Sequence, residues 1–166
     1  MTTPEPSYRT IQLTQGQVAL VSAHRFEELN AFKWYAEWCP STQSFYAHRT
    51  IRLSDGKRKT LRMNRVILGL DFGNKLHAEH ENRDTLDNRD ENLRVATRSQ
   101  NQCNRGPQRN NTSGFKGVSR NHNNWRADIR KDRELVYLGT FSTPQEAYAV
   151  YCAAAKQLHG EFATTV

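Results

Sequence analysis

Apolar positions along this chain come in short groups separated by polar runs. In "RTIQLTQGQVALVS", Ile11 and Leu13, then Val18, Leu20 and Val21, predict two short strands around Gln15-Gly16. Ser22 is placed to cap a helix in "AHRFEELNAF", where Phe26, Leu29 and Phe32 are spaced for one face. "FYAHRTIRLSDGKRKTLRM" predicts a hairpin, because Asp55-Gly56 is a favoured tight-turn pair between two strand-like runs whose Arg and Lys side chains could meet phosphate. "NRVILGLDFGNKL" predicts a brief apolar helix ended by glycine.

The clearest alternation lies near the C-terminus. In "WRADIRK", Trp125, Ala127 and Ile129 point one way and Arg126, Asp128 and Arg130 the other. "ELVYLGTF" and "GFKGVSR" predict two more strands, with Gly114 and Gly117 at turns or close backbone approaches. "STPQEA" then announces a helix, with Thr143 as N-cap, Pro144 at its first position and Glu146 completing a capping box. Ala147, Val150, Tyr151, Ala154 and Leu158 share a face, and Gly160 stops the helix. A three-stranded antiparallel sheet packed on one helix follows. Its other face is left open, with Arg126 and Arg130 on it and Lys116, Arg120 and Tyr137 beside them, a set able to enter a major groove.

Between these regions, "HAEHENRDTLDNRDENLRVAT" (77-97) is almost wholly polar before Leu86, which usually means a solvated loop. Its ending is unusual. Leu93-Arg94-Val95-Ala96 resumes an apolar pattern after Asn88 and Asn92, as though the loop fed a short helix. "RSQNQCNRGPQRNNTS" after it has the composition of a linker, and Arg98, Arg105 and Arg109 are candidates to lie along a DNA backbone.

Composition narrows the partner. With 166 residues and 36% hydrophobic content, the chain suits two small domains better than one large core. Its net charge of +7 favours a polyanion. No apolar run long enough to span a bilayer is present, so no membrane is expected, and double-stranded DNA is the better candidate. The three cysteines, Cys39, Cys103 and Cys152, are far apart, which argues against a disulfide framework and a zinc ribbon. "MTTPEPSYRT" has neither the basic start nor the apolar core of a secretion signal, so a cytoplasmic protein with a short disordered leader is expected.

Two resemblances sharpen this picture. "SGFKGVSR…WRADIR…VYLGTFSTPQEAYAVYCAAAKQLHG" resembles the Apetala-type (ethylene-response-factor) DNA-binding domain, a three-stranded sheet on one helix that lays its sheet in the major groove. The resemblance puts that family's DNA-contacting places on Lys116, Ser119, Arg120, Arg126, Asp128, Arg130, Leu135 and Tyr137. Ser119 and Leu135 depart from it, standing where plant members have arginine. In phage and mobile-element proteins this domain often follows an HNH nuclease. "EH…LDNRDENLRVATRSQN" resembles the HNH (ββα-metal) nucleases of the homing type, and "LTQGQVALV…F…W…YAHR…LRMNRVILG" is similar to their usual N-terminal part.

The resemblance implies a metal-dependent endonuclease that hydrolyses DNA. His80 would be the general base, Asn88 would brace the loop and fix the imidazole, and Glu79 and Asn92 would bind one divalent cation, Mg²⁺ or Mn²⁺, with no small-molecule cofactor. The sequence departs from the family at Glu79, where the family has Asp, at Asn64, where the common "MHR" is "MNR", and at Glu81 and Arg83, where the family has an apolar residue and Gly. The expected class is α+β: a disordered leader over 1-9, an HNH nuclease region over 10-100, a basic linker over 101-111 and an Apetala-type domain over 112-163. If phage-encoded, the protein would act in the bacterial cytoplasm. The alternative is a catalytically inactive DNA-binding or regulatory protein on the same scaffold, with an RNA-binding factor a third reading.

Overall fold

The computed structural model describes residues 6–108, 110–131 and 134–163. The chain forms two compact units, Met1–Thr97 and Arg98–Val166, each a mixture of short helices and small sheets. No helix among the described residues is long and apolar enough to cross a membrane.

In the first unit, β1 (Tyr8–Gln12) and β2 (Val18–Ser22) form the antiparallel pair expected around Gln15 and Gly16, both of which take positive φ at the turn. β1 begins at Tyr8, two residues before the expected start of the nuclease region at 10, while residues 1–5 of the expected leader and Arg109 of the expected linker lie outside the described residues. Ser22 does not cap the helical segment behind it, a 3-10 turn at Ala23–Arg25 leading into α1 (Phe26–Asn30). Its hydroxyl instead accepts the backbone N–H of Asp90 at 2.9 Å, so a distant loop has taken the cap's chemistry.

A strand the pattern did not announce, β3 (Tyr35–Cys39), joins β4 (Ser44–Arg52) and β5 (Arg58–Arg62) in an antiparallel sheet. The hairpin turns at Asp55-Gly56 as expected, with Gly56 at φ 79°. α2 (Met63–Ile67) is the brief apolar helix, and Gly69 follows it at φ 63°. Ile11, Ala19, Val21, Leu29, Trp34, Ala47, Met63, Ile67 and Leu93 make one buried core, which holds these small elements together.

The polar stretch is ordered. β6 (His77–His80) pairs antiparallel with β8 (Leu93–Ala96), so the apolar ending is a strand and not the short helix its pattern suggested. Period cannot separate strand from helix over four residues, and pairing with β6 decides it. Between them, β7 (Asp87–Asn88) adds to β2 in parallel, and a 3-10 turn spans Asp90–Asn92.

The second unit opens with α3 (Arg98–Cys103), a helix where the composition read as linker. β9 (Val118–Asn121), β10 (Asn124–Lys131) and β11 (Glu134–Phe141) form an antiparallel sheet in the order β11-β10-β9, and α4 (Pro144–His159) packs on it. The Thr143–Glu146 capping box is present, with Pro144 in the first turn. The helix face centres on Ala147, Tyr151 and Ala155, against Val118, Ala127 and Ile129 of the sheet.

Candidate active site

Five polar side chains of the 77–97 stretch, Glu79, His80, Asp87, Asn88 and Asn92, are each no more than 6% exposed. Burial at that level is costly for a polar group unless its hydrogen bonds are made inside the protein, so each partner matters. A solvated loop would leave them in water.

His80 ends β6, with its Nε2 3.3 Å from Asn88 Oδ1. Asn88 Nδ2 donates to Leu86 O at 3.2 Å, which orients the amide so that its oxygen faces the imidazole. An amide oxygen only accepts, so Nε2 carries the ring proton and the basic lone pair sits on Nδ1. Burial holds the His80 pKa below its ordinary value, a pull that Arg62 adds to and that Asn88, Asp84 and Asp87 oppose. The ring is therefore neutral at neutral pH. Tyr46 of β4 lies beside it, ring centroids 6.2 Å apart.

Glu79 lies directly opposite Arg94 across the β6–β8 ladder, and Arg94 Nε donates to Glu79 Oε2 at 2.6 Å. Asn92 is held by its loop: Oδ1 accepts the backbone N–H of Asn82 at 2.9 Å and Nδ2 donates to Asp87 O at 2.8 Å. It bridges the two ends of the 82–92 segment. Asp87 is fixed in turn by a bidentate pair with Arg89, with Nε–Oδ1 and Nη2–Oδ2 both 2.7 Å, and by Asn82 Nδ2 at 2.9 Å. These bonds hold its carboxyl below the usual range. Thr85 Oγ1 donates to Phe45 O at 2.5 Å, and Arg25 Nη2 to Asp90 Oδ1 at 3.0 Å, tying the loop to β4 and to the segment after β2.

Two departures from the HNH pattern take definite structural roles. Asn64 is buried on α2 and donates from Nδ2 to Ala78 O at 3.1 Å, the carbonyl just before Glu79. Arg83 takes φ 67°, a left-handed backbone that suits the glycine found there in the family.

The donors at Glu79 and Asn92 are a carboxylate and an amide oxygen with a second lone pair, chemistry that suits a hard cation. Among the described residues no group of three or more His, Cys, Asp or Glu comes together as a cation cage. A cation here would rest on few protein oxygens, as Mg²⁺ does where it keeps waters and binds phosphate.

No family model matches the chain. It is similar to a protein of Acanthamoeba polyphaga mimivirus named as an uncharacterized HNH endonuclease. The two are 28% identical over 153 residues, an alignment that covers 90% of this chain and 74% of the relative. That similarity spans both compact units, including the buried polar stretch.

In the second unit, strand alternation places Arg126, Asp128 and Arg130 on the sheet face away from α4, with Thr140, Tyr137 and Leu135 opposite them on β11. Arg126 is engaged there, donating from Nε and Nη2 to the Asp128 carboxylate at 2.7–2.9 Å, with its guanidinium 4.9 Å from the Tyr137 ring centre. Tyr137 is 56% exposed. Arg120 is not on this face: the register sets it opposite Trp125, on the parity of Val118 and Ala127, with its guanidinium 4.9 Å from the Trp125 ring centre. Lys116 precedes β9, and its Nζ donates to Cys103 O. Gly117 fits the expected close approach, since a Cβ there would fall 2.2 Å from the Tyr151 ring.

Sequence reading passed over the surroundings of His80. Glu37, Tyr46, His48 and Arg62 share one face of the β3–β4–β5 sheet, and the signal was the alternation in "FYAHRTIR", read only for its charges.

Proposed function

We propose that this chain is a metal-dependent HNH-type endonuclease that hydrolyses DNA phosphodiesters, with its nuclease site carried by β6, β8 and the loop between them. The observation that carries the reading is a buried, neutral His80 held by Asn88 one residue after a buried carboxylate, Glu79. Similarity to the viral protein named as an HNH endonuclease supports it.

In this reading a water adds to phosphorus while its proton passes to His80 Nδ1, the atom the Asn88 contact leaves basic. The bond to the leaving deoxyribose oxygen breaks, and solvent protonates that oxygen. Asn88 keeps the imidazole in the required tautomer and orientation, and Asn92 with Asp87 keeps the loop closed beneath it. Glu79 and Asn92 would hold one Mg²⁺ or Mn²⁺, which when bound supplies charge stabilisation at the phosphate. The Arg126–Arg130 face, with Tyr137 and with Lys116 beside it, is proposed to bind duplex DNA in the manner of an Apetala-type domain, and no small-molecule cofactor enters.

A second reading, DNA binding without cleavage, draws on the 2.6 Å contact of Arg94 with Glu79, which gives the carboxylate a cationic partner other than a metal. Plasmid nicking separates the two. Supercoiled DNA with Mg²⁺ or Mn²⁺ should be nicked by the wild type. His80→Ala should reduce the rate by about 10²–10⁴-fold and leave DNA affinity intact. A wild type that binds duplex tightly and nicks no substrate with either ion leaves only the second reading.

A further inference from the structure

We propose that Arg62 is a phosphate-binding residue beside His80, positioned by His48 and Glu37, and that the sheet face it shares carries the DNA backbone toward the site. The proposal rests on the reading of His80 as the hydrolytic centre.

Cross-strand register puts Tyr35, His48 and Arg62 in one row, Thr50 and Thr60 in the next, and Arg52 and Arg58 in a third. Rows on one face of a strand repeat every about 7 Å, so the hairpin offers a ladder of hydroxyls and guanidiniums leading away from Arg62. The opposite face belongs to the core: Ala36 and Ala47 are buried, and Arg49 stacks 3.7 Å from the Phe32 ring centre. Elsewhere in this unit Arg9, Arg25, Arg89 and Arg94 each meet a carboxylate. Arg52, Arg58 and Arg62 meet none among the described residues.

Arg62 is exposed yet held. Its Nε donates to His48 Nε2 at 3.1 Å, which requires that nitrogen to be unprotonated. His48 Nδ1 then carries the proton and donates to Glu37 Oε2. Burial keeps His48 below its ordinary pKa, and at 6% exposure the ring is a fixed acceptor. The guanidinium lies 4.3 Å from the Tyr46 ring centre, on the same ring that flanks His80. Stacking and one bond through Nε leave Nη1 and Nη2, the pair that forks onto phosphate oxygens, directed at no acceptor among the described residues.

The test measures duplex binding by the full chain in EDTA, where cleavage is absent, over a series of salt concentrations. Arg62→Ala should weaken binding severalfold on unrelated sequences and lower the salt slope by about one, as loss of one phosphate contact does. Arg62→Lys should regain part of the affinity. His48→Gln should weaken binding in the wild-type background and add nothing in the Arg62→Ala background, a coupling that general loss of structure would not produce. Unchanged affinity and slope in Arg62→Ala overturn the proposal. Equal losses from His48→Gln in both backgrounds overturn the positioning role. A wild type that binds but never nicks removes the nuclease reading alone. Full nicking and binding by Arg62→Ala removes this one alone.

Discussion

Arg94 and Glu79 form a buried ion pair across two strands, Nε to Oε2 at 2.6 Å, with side chains 13% and 3% exposed. Removing one member of such a pair leaves a charge in low dielectric and costs about 3–5 kcal/mol. Arg94→Met should therefore lower the melting temperature. If Glu79 is a cation ligand, Mn²⁺ should then raise the melting temperature of Arg94→Met by more than it raises that of the wild type, because the ion replaces the missing guanidinium. Glu79→Gln in the Arg94→Met background should abolish the extra shift. Equal Mn²⁺ shifts in Arg94→Met and wild type would remove Glu79 from the ligand set. Glu79→Asp, which restores the family's shorter carboxylate, should retain nicking or increase it.

Local rules recovered what local forces determine. The capping box at Thr143, the Asp55-Gly56 hairpin and the inward Ala127 and Ile129 were all legible, since each depends on residues within a few positions. What escaped was set by partners far along the chain. Leu93–Ala96 is a strand because β6 is beside it, and the Ser22 hydroxyl turns from its own helix to Asp90, 68 positions away. The same holds at the site. His80 and Asn88 are marked by the resemblance of their local motif to HNH nucleases, whereas Arg62, His48 and Glu37 come together only through pairing of β4 with both β3 and β5.

The pH dependence of stability follows from His48. Burial lowers its folded pKa below the ordinary 6.5, against the opposing pull of Glu37 and with a small lowering from Arg62; Tyr35 and Tyr46 are the other ionisable groups packed on the ring. Between the two pKa values the unfolded chain binds more protons, so stability rises with pH in that window and is lost as pH falls below about 6.5. His80 shifts the same way. Urea midpoints should fall between pH 7.5 and 5.5, and less steeply in His48→Gln. An unchanged pH slope in that variant would mean that His48 is not held neutral.

Gly117 gives a sharper test of packing in the second unit. It sits at φ 73°, and an added Cβ would lie 2.2 Å from the Tyr151 ring and 2.7 Å from Asp128 O. A left-handed backbone costs an L-residue about 1–2 kcal/mol and overpacking about 1–3 kcal/mol more. Gly117→Ala should destabilise this unit by at least about 2 kcal/mol in urea unfolding. Gly114→Ala, also at positive φ but with nothing within 4 Å of the added Cβ, should cost only the backbone share. Equal costs at the two sites would show that the Tyr151 contact is unimportant.

On the open sheet face, Arg126 is clamped by Asp128 while Arg130 is exposed at the outer part of the same strand. A guanidinium that reads a base edge must leave its carboxylate first, so Asp128 opposes DNA binding twice, by repelling phosphate and by holding Arg126. Arg130→Ala should weaken duplex affinity, by about 1–3 kcal/mol if Arg130 reads a base bidentately. Arg126→Ala should also weaken binding, with part of the loss offset by release from the Asp128 pair. Asp128→Ala should tighten binding and steepen the salt dependence, since the net positive charge of the face rises by one. Anisotropy titrations of the full chain against a short duplex give all three numbers. Tighter binding from Asp128→Ala together with weaker binding from Arg130→Ala is the pattern that a DNA-facing sheet requires, and affinities indifferent to all three substitutions would move the duplex off this face.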